Sequence, residues 1–147
     1  EIARGLARYE TVGRRSRVRK TGYCTLVDDC YNANPTSDRA AIDSLASLSG
    51  RHVCILGDML EMGGNAPELH RSVGEYAAAH GVDLVITQGE LAKCIAEGAG
   101  TAGVHYADRA SLLAALPELL HEGDVVLVKA SHGAHFEEIS EAVKQLS

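Results

Sequence analysis

The chain has 147 residues, a net charge of −6 and 46% hydrophobic residues. That length supports one domain with its own core, and the apolar content argues against intrinsic disorder. No apolar run approaches the roughly 18 residues that span a bilayer, and residues 1–10 lack the apolar stretch of a secretory signal, so we expect a cytoplasmic protein. The cysteines form no CxxC pair, which favours buried reduced thiols over zinc or disulfides. They are Cys24, Cys30, Cys54 and Cys94.

Positive charge is concentrated at the start of the chain. Residues 1–22 hold seven of the 14 Lys and Arg but only two of the 20 Asp and Glu, so this segment carries +5 and the remainder −11. Three explanations stay open: an arm that binds nucleic acid, a solvated strand edge, or an arginine that meets phosphate. The acidic remainder argues against a nucleic-acid surface.

The first predicted elements form a hairpin. Residues 1–13 have the character of a lead-in, a linker from a preceding domain. Residues 17–20 and 23–27 then flank Thr21-Gly22, a dipeptide that suits a tight turn. This pattern predicts one antiparallel strand beside the rest of the sheet.

Short apolar runs indicate the remaining strands. They are rich in branched residues and nearly continuous rather than alternating, as in strands that are covered on both faces. The runs occupy residues 24–27, 53–56, 84–87, 104–106 and 125–128.

Helical spacing of apolar residues fills the intervals between these runs. Proline near the start and glycine past the end mark the helices that follow Pro35 and Pro67, and Asp108 is a plausible N-cap. The apolar positions are Ile42, Leu45 and Leu48 before Ser49-Gly50; Leu69, Val73, Tyr76 and His80 before Gly81; Leu91 and Ile95 before Gly98; Leu112, Leu116 and Leu119; and Ile139, Ala142, Val143 and Leu146. Strand–helix alternation predicts an α/β fold, Rossmann-like, with three layers and a mostly parallel sheet.

Polar residues follow the first of the predicted parallel strands. Asp28 and Asp29 end the strand, and Asn32 and Asn34 precede Pro35. Adjacent carboxylates repel each other and Asn is poorly suited to regular structure, so the pattern indicates a ligand site at the carboxyl end of a strand. Asn34 is explained equally well as the cap of the helix that begins at Pro35, whereas Asp29 is harder to explain by capping.

Two further strand ends carry candidate residues. A glycine-bounded loop, residues 57–64, contains Met59 and other large apolar side chains, so we expect it to pack against the fold; an ordinary turn is the alternative. After the last strand, Lys129 and small residues precede a helix, which suits an anion, with a solvated Lys129 as the alternative. Residues 87–89 indicate only a turn.

Several common signatures are absent from the sequence. It contains neither a G-x-x-x-x-G-K-[ST] phosphate loop nor a G-x-G-x-x-G fingerprint, and neither a nucleophile elbow nor a pair of metal-spaced histidines. A nucleotide that binds this chain would therefore have its main phosphate cradle elsewhere.

Motifs at these strand ends resemble the C-terminal domain of the Mur ligases, in the branch that adds D-Ala-D-Ala to the cell-wall precursor. They are DDCYNANP at 28–35, GDMLEMG at 57–63 with His70 downstream, and LVKASHG at 127–133. The Gly13-Arg14 pair is similar to the start of that domain, which we place at 14–147, and the resemblance begins at about Gly5.

The resemblance implies an ATP-dependent ligase of peptidoglycan synthesis. In that family, ATP converts the carboxylate of UDP-MurNAc-tripeptide into an acyl phosphate, which the amine of D-Ala-D-Ala then attacks. Three domains share the work, and the middle one carries the phosphate loop and most of the contacts to ATP and Mg²⁺. This chain would be the third domain, inactive alone, with its own N-terminal and middle domains as partners.

The resemblance also implies roles for individual residues. They are, for catalysis, Arg14 and Lys129; for ATP, Arg14, Asp29, Asn32 and Asn34; and for D-Ala-D-Ala, Asn34, Ser131 and His132. The chain departs from the family at Ala130 and His132, where Gly and Arg are usual, and at Phe136, where Met is usual. Because His is shorter and pH-dependent, bidentate binding of a carboxylate is in question. His70 lies in a helical pattern, where we expect a surface residue.

Other functions fit parts of the pattern. A phospho-receiver domain needs an Asp after its third strand, where this chain has Thr87-Gln88. A non-catalytic α/β binding module is compatible with the departures at Ala130 and His132. A sister Mur ligase that adds a different amino acid is the third alternative, although the YNANP sequence favours the dipeptide branch.

Overall fold

The computed structural model describes residues 17–20, 23–29, 34–59, 63–130 and 136–146. Within these ranges, strands and helices alternate along the chain. The strands are β1 (Arg17–Lys20), β2 (Thr25–Asp29), β3 (His52–Leu56), β4 (Leu84–Gln88), β5 (Gly103–Tyr106) and β6 (Val125–Lys129). The α-helices are α1 (Pro35–Ala46), α2 (Ala66–Ala79), α3 (Ala92–Ala99), α4 (Arg109–Leu119) and α5 (Glu137–Lys144). The predicted α/β class is confirmed.

The described strands form one sheet in the order β1-β2-β6-β3-β4-β5. Five of these strands, β2, β6, β3, β4 and β5, run parallel to one another, and helices form the crossover connections between them. β1 pairs antiparallel with β2, so that Arg17 lies opposite Asp28 and Lys20 opposite Thr25. The predicted turn residues, Thr21 and Gly22, lie outside the described residues.

Helices cover both faces of the sheet. Side chains such as Cys54 and Leu127 pack with α1, α2 and α3 on one face. Their strand neighbours, such as Ile55 and Val126, pack with α4 and α5 on the other face. Successive strand residues thus enter opposite cores, which explains why the strands are continuously apolar.

Local signals set most helix ends. Asp108 caps α4 by accepting a 2.7 Å hydrogen bond from the Ser111 N–H, as predicted. Gly81 follows α2 with φ +86°, a conformation that favours glycine. Gly98, in contrast, lies inside α3 rather than past its end. Its small size is needed there, because a Cβ would collide with the Arg71 carbonyl of α2.

An ion pair lies at the amino ends of the strands. Arg51 donates from Nε and Nη2 to the two carboxylate oxygens of Asp124, at 3.1 and 2.8 Å. It also donates to the Leu119 carbonyl at 2.7 Å, so it joins the end of α4 to the start of β3. This pair lies at the opposite ends of the strands from Asp29 and Lys129.

Three of the four cysteines lie within the described residues. Cys24 and Cys54 are buried, as predicted, whereas Cys94 is partly exposed and Cys30 lies outside the described residues. Burial raises the pKa of the Cys54 thiol, and the charge of Asp38 raises it further. In the described part of the chain, every helix is too short or too polar to cross a bilayer.

Candidate ligand site at the carboxyl edge of the sheet

Three separate sequence motifs meet at the carboxyl ends of the parallel strands, which we call the carboxyl edge of the sheet. The register places Asp29, the last residue of β2, opposite Lys129, the last residue of β6. Lys129 in turn lies opposite Leu56 at the end of β3, and its carbonyl accepts a 3.0 Å hydrogen bond from the Gly57 N–H. Ligands of open α/β sheets bind outside the carboxyl ends of the strands, so this edge is the candidate site.

Lys129 is buried rather than solvated. Its side chain is 1% exposed, and Nζ lies 3.8 Å from Oδ1 of Asp38, which is also 1% exposed. The side chain follows the alternation of β6 onto the face that holds Leu127, where α1 covers it. The alternative of a solvated Lys129 is therefore wrong.

Asn34 caps α1, as one of the two explanations predicted. Its Oδ1 accepts a 2.8 Å hydrogen bond from the Ser37 N–H, while its own N–H donates to the Ser37 hydroxyl at 3.1 Å. This reciprocal capping box fixes the first turn of α1 beside the strand ends. The side-chain oxygen is therefore committed to the cap.

Asp28 is held by the helix on the other face. The Ser140 hydroxyl of α5 donates a 3.0 Å hydrogen bond to Asp28 Oδ1. The first carboxylate of the Asp28-Asp29 pair therefore has a structural partner in α5. The backbone of Asp29 ends β2, and its side chain lies outside what the structure describes.

The glycine-bounded loop after β3 is anchored by His70. The Met59 N–H donates to His70 Nε2 at 2.8 Å, and the Nδ1 of the same ring lies 2.6 Å from the Ala66 carbonyl. Because Nε2 accepts, Nδ1 carries the proton and donates to Ala66. His70 is fully buried, so the expectation of a surface residue was wrong: its ring connects the loop to α2. Met59 is also buried, as predicted for a loop that packs against the fold.

Asp58 anchors the same loop to α3. Its Oδ1 accepts a 2.7 Å hydrogen bond from the Ala92 N–H at the start of that helix. Gly89 passes so close that a Cβ would collide with the Asp58 carboxylate. The segment at 87–89, for which the sequence indicates only a turn, therefore leaves space for the Asp58 carboxylate.

Phe136 packs beneath the ends of β3 and β6. A Cβ on Gly57 would collide with the Phe136 ring and lie 2.8 Å from the Ala130 Cβ, so glycine at 57 makes space for both. The Arg109 guanidinium lies 5.0 Å from the centre of the ring and donates to Gln88 at 3.0 Å. The two departures from the family at Ala130 and Phe136 are thus part of one packed cluster.

Two carboxylates occupy the first turn of the last helix. α5 begins at Glu137, and its first turn carries Glu137 and Glu138. These carboxylates already interact favourably with the helix dipole and repel a further negative charge.

A polar pair also lies on β4 and β5, the strands farthest from β2 in the sheet. Thr87 Oγ1 and His105 Nδ1 share a 2.8 Å hydrogen bond between β4 and β5. Burial lowers the pKa of His105, and the charge of Lys93 lowers it further. Among the described residues, no three His, Cys, Asp or Glu side chains come together as a metal site.

The structure places some predicted site residues and reveals others. Arg14, Asn32, Ser131 and His132 lie outside the described residues. Asp38 was missed, although the signal was present: it precedes Ala41, Ile42 and Leu45 by three, four and seven residues, which puts an acid on the apolar stripe of α1. The anchoring role of Asp58 had no comparable local signal, because its partner Ala92 is distant in sequence.

Comparison with known proteins identifies the family. The chain belongs to the Mur ligases: the family described as "Mur ligase, glutamate ligase domain" matches residues 13–132. It is 37% identical over 147 residues to UDP-N-acetylmuramoyl-tripeptide--D-alanyl-D-alanine ligase of Bacillus subtilis, covering 95% of this chain and 32% of that protein. It is equally 37% identical to the Escherichia coli ligase of the same name, covering 98% of this chain and 32% of that protein.

Solved structures agree with the sequence relatives. The MurF ligase of Thermotoga maritima, crystallised in complex with ADP, gives a TM-score of 0.78 at 28% identity, covering 90% of this chain and 30% of that one. A MurF structure from Acinetobacter baumannii gives a TM-score of 0.82 at 28% identity, with the same two coverages of 90% and 30%. The chain therefore spans about a third of the length of the ligases it matches.

Proposed function

We propose that this chain is the C-terminal domain of an ATP-dependent ligase that adds D-Ala-D-Ala to UDP-MurNAc-tripeptide in peptidoglycan synthesis. The observation that carries the proposal is the strand register, which brings Asp29, Lys129 and the Gly57 loop together at one edge. Each of these belongs to one of the three motifs that resemble the dipeptide-adding branch. The identity to the ligases of Bacillus subtilis and Escherichia coli supports the same branch.

The proposal assigns nucleotide contacts to the β2 end of the edge. Asp29 would accept hydrogen bonds from the ribose hydroxyls, with Asn32 and the amide nitrogen of Asn34 lining the same cleft. The capping box suits this role, because it fixes Asn34 at the start of α1. Arg14 would reach toward the phosphates from the domain junction. When bound, ATP supplies the phosphoryl group that makes the tripeptide carboxylate electrophilic.

Lys129 would act on anionic ligands mainly through its charge. Its side chain is buried at the end of β6, where little water screens the electric field of its charge. Developing negative charge in phosphoryl and acyl transfer is stabilised by fixed cations of this kind. Ser131, His132 and Asn34 would contact D-Ala-D-Ala at the same edge.

The remaining parts of the reaction would belong to the other domains. Residues 1–13 would form the link to a middle domain that carries the ATP phosphate loop and most contacts to Mg²⁺. The chain alone would therefore be inactive and would work by closing onto that domain. Because ATP is the energy source, the enzyme would act in the cytoplasm.

Phosphate release by the complete enzyme tests the proposal. The enzyme would receive ATP, magnesium and UDP-MurNAc-tripeptide, with D-Ala-D-Ala in one reaction and single amino acids in others. We expect release with D-Ala-D-Ala alone. Release with a single amino acid would assign the chain to a sister ligase, and no release with any amine would favour a non-catalytic module.

Two substitutions test the assigned roles. We expect Arg14→Ala and Asp29→Ala each to lower turnover by at least about tenfold, which corresponds to roughly 1.4 kcal/mol of transition-state stabilisation. Arg71→Ala is a matched control, because Arg71 forms an exposed pair with Glu97 on α2 and α3. Near-normal kinetics in either test variant would contradict the role given to that residue.

A further inference from the structure

A buried ion pair lies directly beneath the candidate site. Lys129 is among the largest fully buried side chains, and Asp38 in the first turn of α1 is equally inaccessible. The Nζ to Oδ1 distance of 3.8 Å is longer than a hydrogen bond, so the two groups interact through their charges at this separation. Such a pair is an unusual feature of an otherwise aliphatic core.

Capping of α1 does not require the Asp38 carboxylate. The cap of this helix is supplied by Asn34 and Ser37. The neighbours of Asp38 on the buried face, Ala41 and Ile42, are apolar. An apolar residue at position 38 would therefore extend the buried stripe of α1.

Stability does not readily explain the pair either. Removing two opposite charges from water costs as much as their attraction returns, and apolar residues of similar volume are often as stabilising. The functional consequence is clearer. An ammonium group that is buried without a counter-ion tends to lose its proton, whereas a nearby carboxylate keeps it charged.

We propose that Asp38 is a positioning residue of the ligand site, which supplies a fixed counter-charge to the ammonium group of Lys129 at the end of β6. This inference rests on the proposed function, in which the ligands at that edge are anionic. Two described titratable side chains lie near Lys129: Asp38 from α1 and Cys54 from β3. The backbone of Asp29 is the β2 register partner of Lys129. The raised pKa of Cys54 keeps that thiol neutral, so it adds no competing charge.

The test compares Asp38→Asn with Asp43→Asn in the complete enzyme. Both changes remove one carboxylate charge from α1 with little change of volume. Asp43 is exposed and accepts a hydrogen bond from the Tyr76 hydroxyl, which Asn at this position can still accept. We expect Asp38→Asn to lower kcat/KM by at least about tenfold at neutral pH, and Asp43→Asn to leave it unchanged.

The pH profile separates a positioning role from a structural one. If Asp38 acts through the charge of Lys129, the loss of activity in Asp38→Asn should change with pH between 7 and 9. A purely structural defect would lower activity by the same factor across that range. Wild-type activity, or a profile parallel to that of wild type, in Asp38→Asn overturns the inference.

A second variant covers the case in which Asp38→Asn does not fold. Replacing the pair by apolar residues, Asp38→Leu with Lys129→Met, removes both charges and should preserve folding. We expect this double variant to be as inactive as Lys129→Met alone, and wild-type activity in it would overturn the inference. If wild-type enzyme releases no phosphate with any amine, the proposed function fails and the inference fails with it. An active wild-type enzyme with an unaffected Asp38→Asn variant refutes the inference alone.

Discussion

The connection between His70 and the loop after β3 allows a quantitative prediction. In His70→Ala, the Met59 N–H loses its acceptor while it remains buried, which costs about 1–3 kcal/mol. The missing ring also leaves a cavity in a site with no solvent exposure, which adds about 2 kcal/mol. We therefore expect the free energy of unfolding to fall by about 4 kcal/mol.

Urea denaturation and amide hydrogen exchange measure this effect. His80→Ala is the matched control, because His80 ends the same helix, is exposed and contacts the Tyr76 ring; we expect it to cost less than about 1 kcal/mol. His70→Gln retains an acceptor and should fall between the two. Exchange of the Met59 amide should become fast only in His70→Ala. A loss below about 1 kcal/mol together with a protected Met59 amide would refute the role of His70.

Further predictions concern packing, pH and the helix cap. Gly57→Ala should cost about 1–3 kcal/mol by its collision with Phe136, and Phe136→Leu in the same chain should recover part of this in denaturant unfolding. The pKa of His105 is lowered by burial and by Lys93, so its contribution to stability is complete above its unfolded pKa and declines as the pH falls below it. The pH dependence of stability between 5 and 7 should be weaker in His105→Gln; an unchanged slope would contradict this. Asn34→Ala should cost about 1 kcal/mol and Asn34→Ser a few tenths, so lost ligand binding in a stable Asn34→Ser would indicate a contact through the amide.

The sequence determined the elements of the fold to within about a residue or two. The predicted runs at 53–56 and 125–128 became β3 and β6, and Asp108 capped α4 as expected. These signals are local: a strand covered on both faces must be apolar along its length, and a helix start needs an acceptor for its first N–H groups. Gly98 was the exception, because its small size serves the contact with the Arg71 carbonyl of the neighbouring helix.

At the candidate site, the sequence alone located the motifs, and only the tertiary structure decided what each side chain does. The positions of Asp29, Lys129 and the Gly57 loop at strand ends followed from the strand–helix order. The burial of Lys129 against Asp38, and of His70 against the Met59 N–H, did not follow from it. Each contact joins residues from two different elements of the fold. Whether a polar group meets water or a buried partner depends on packing that sequence periodicity does not encode.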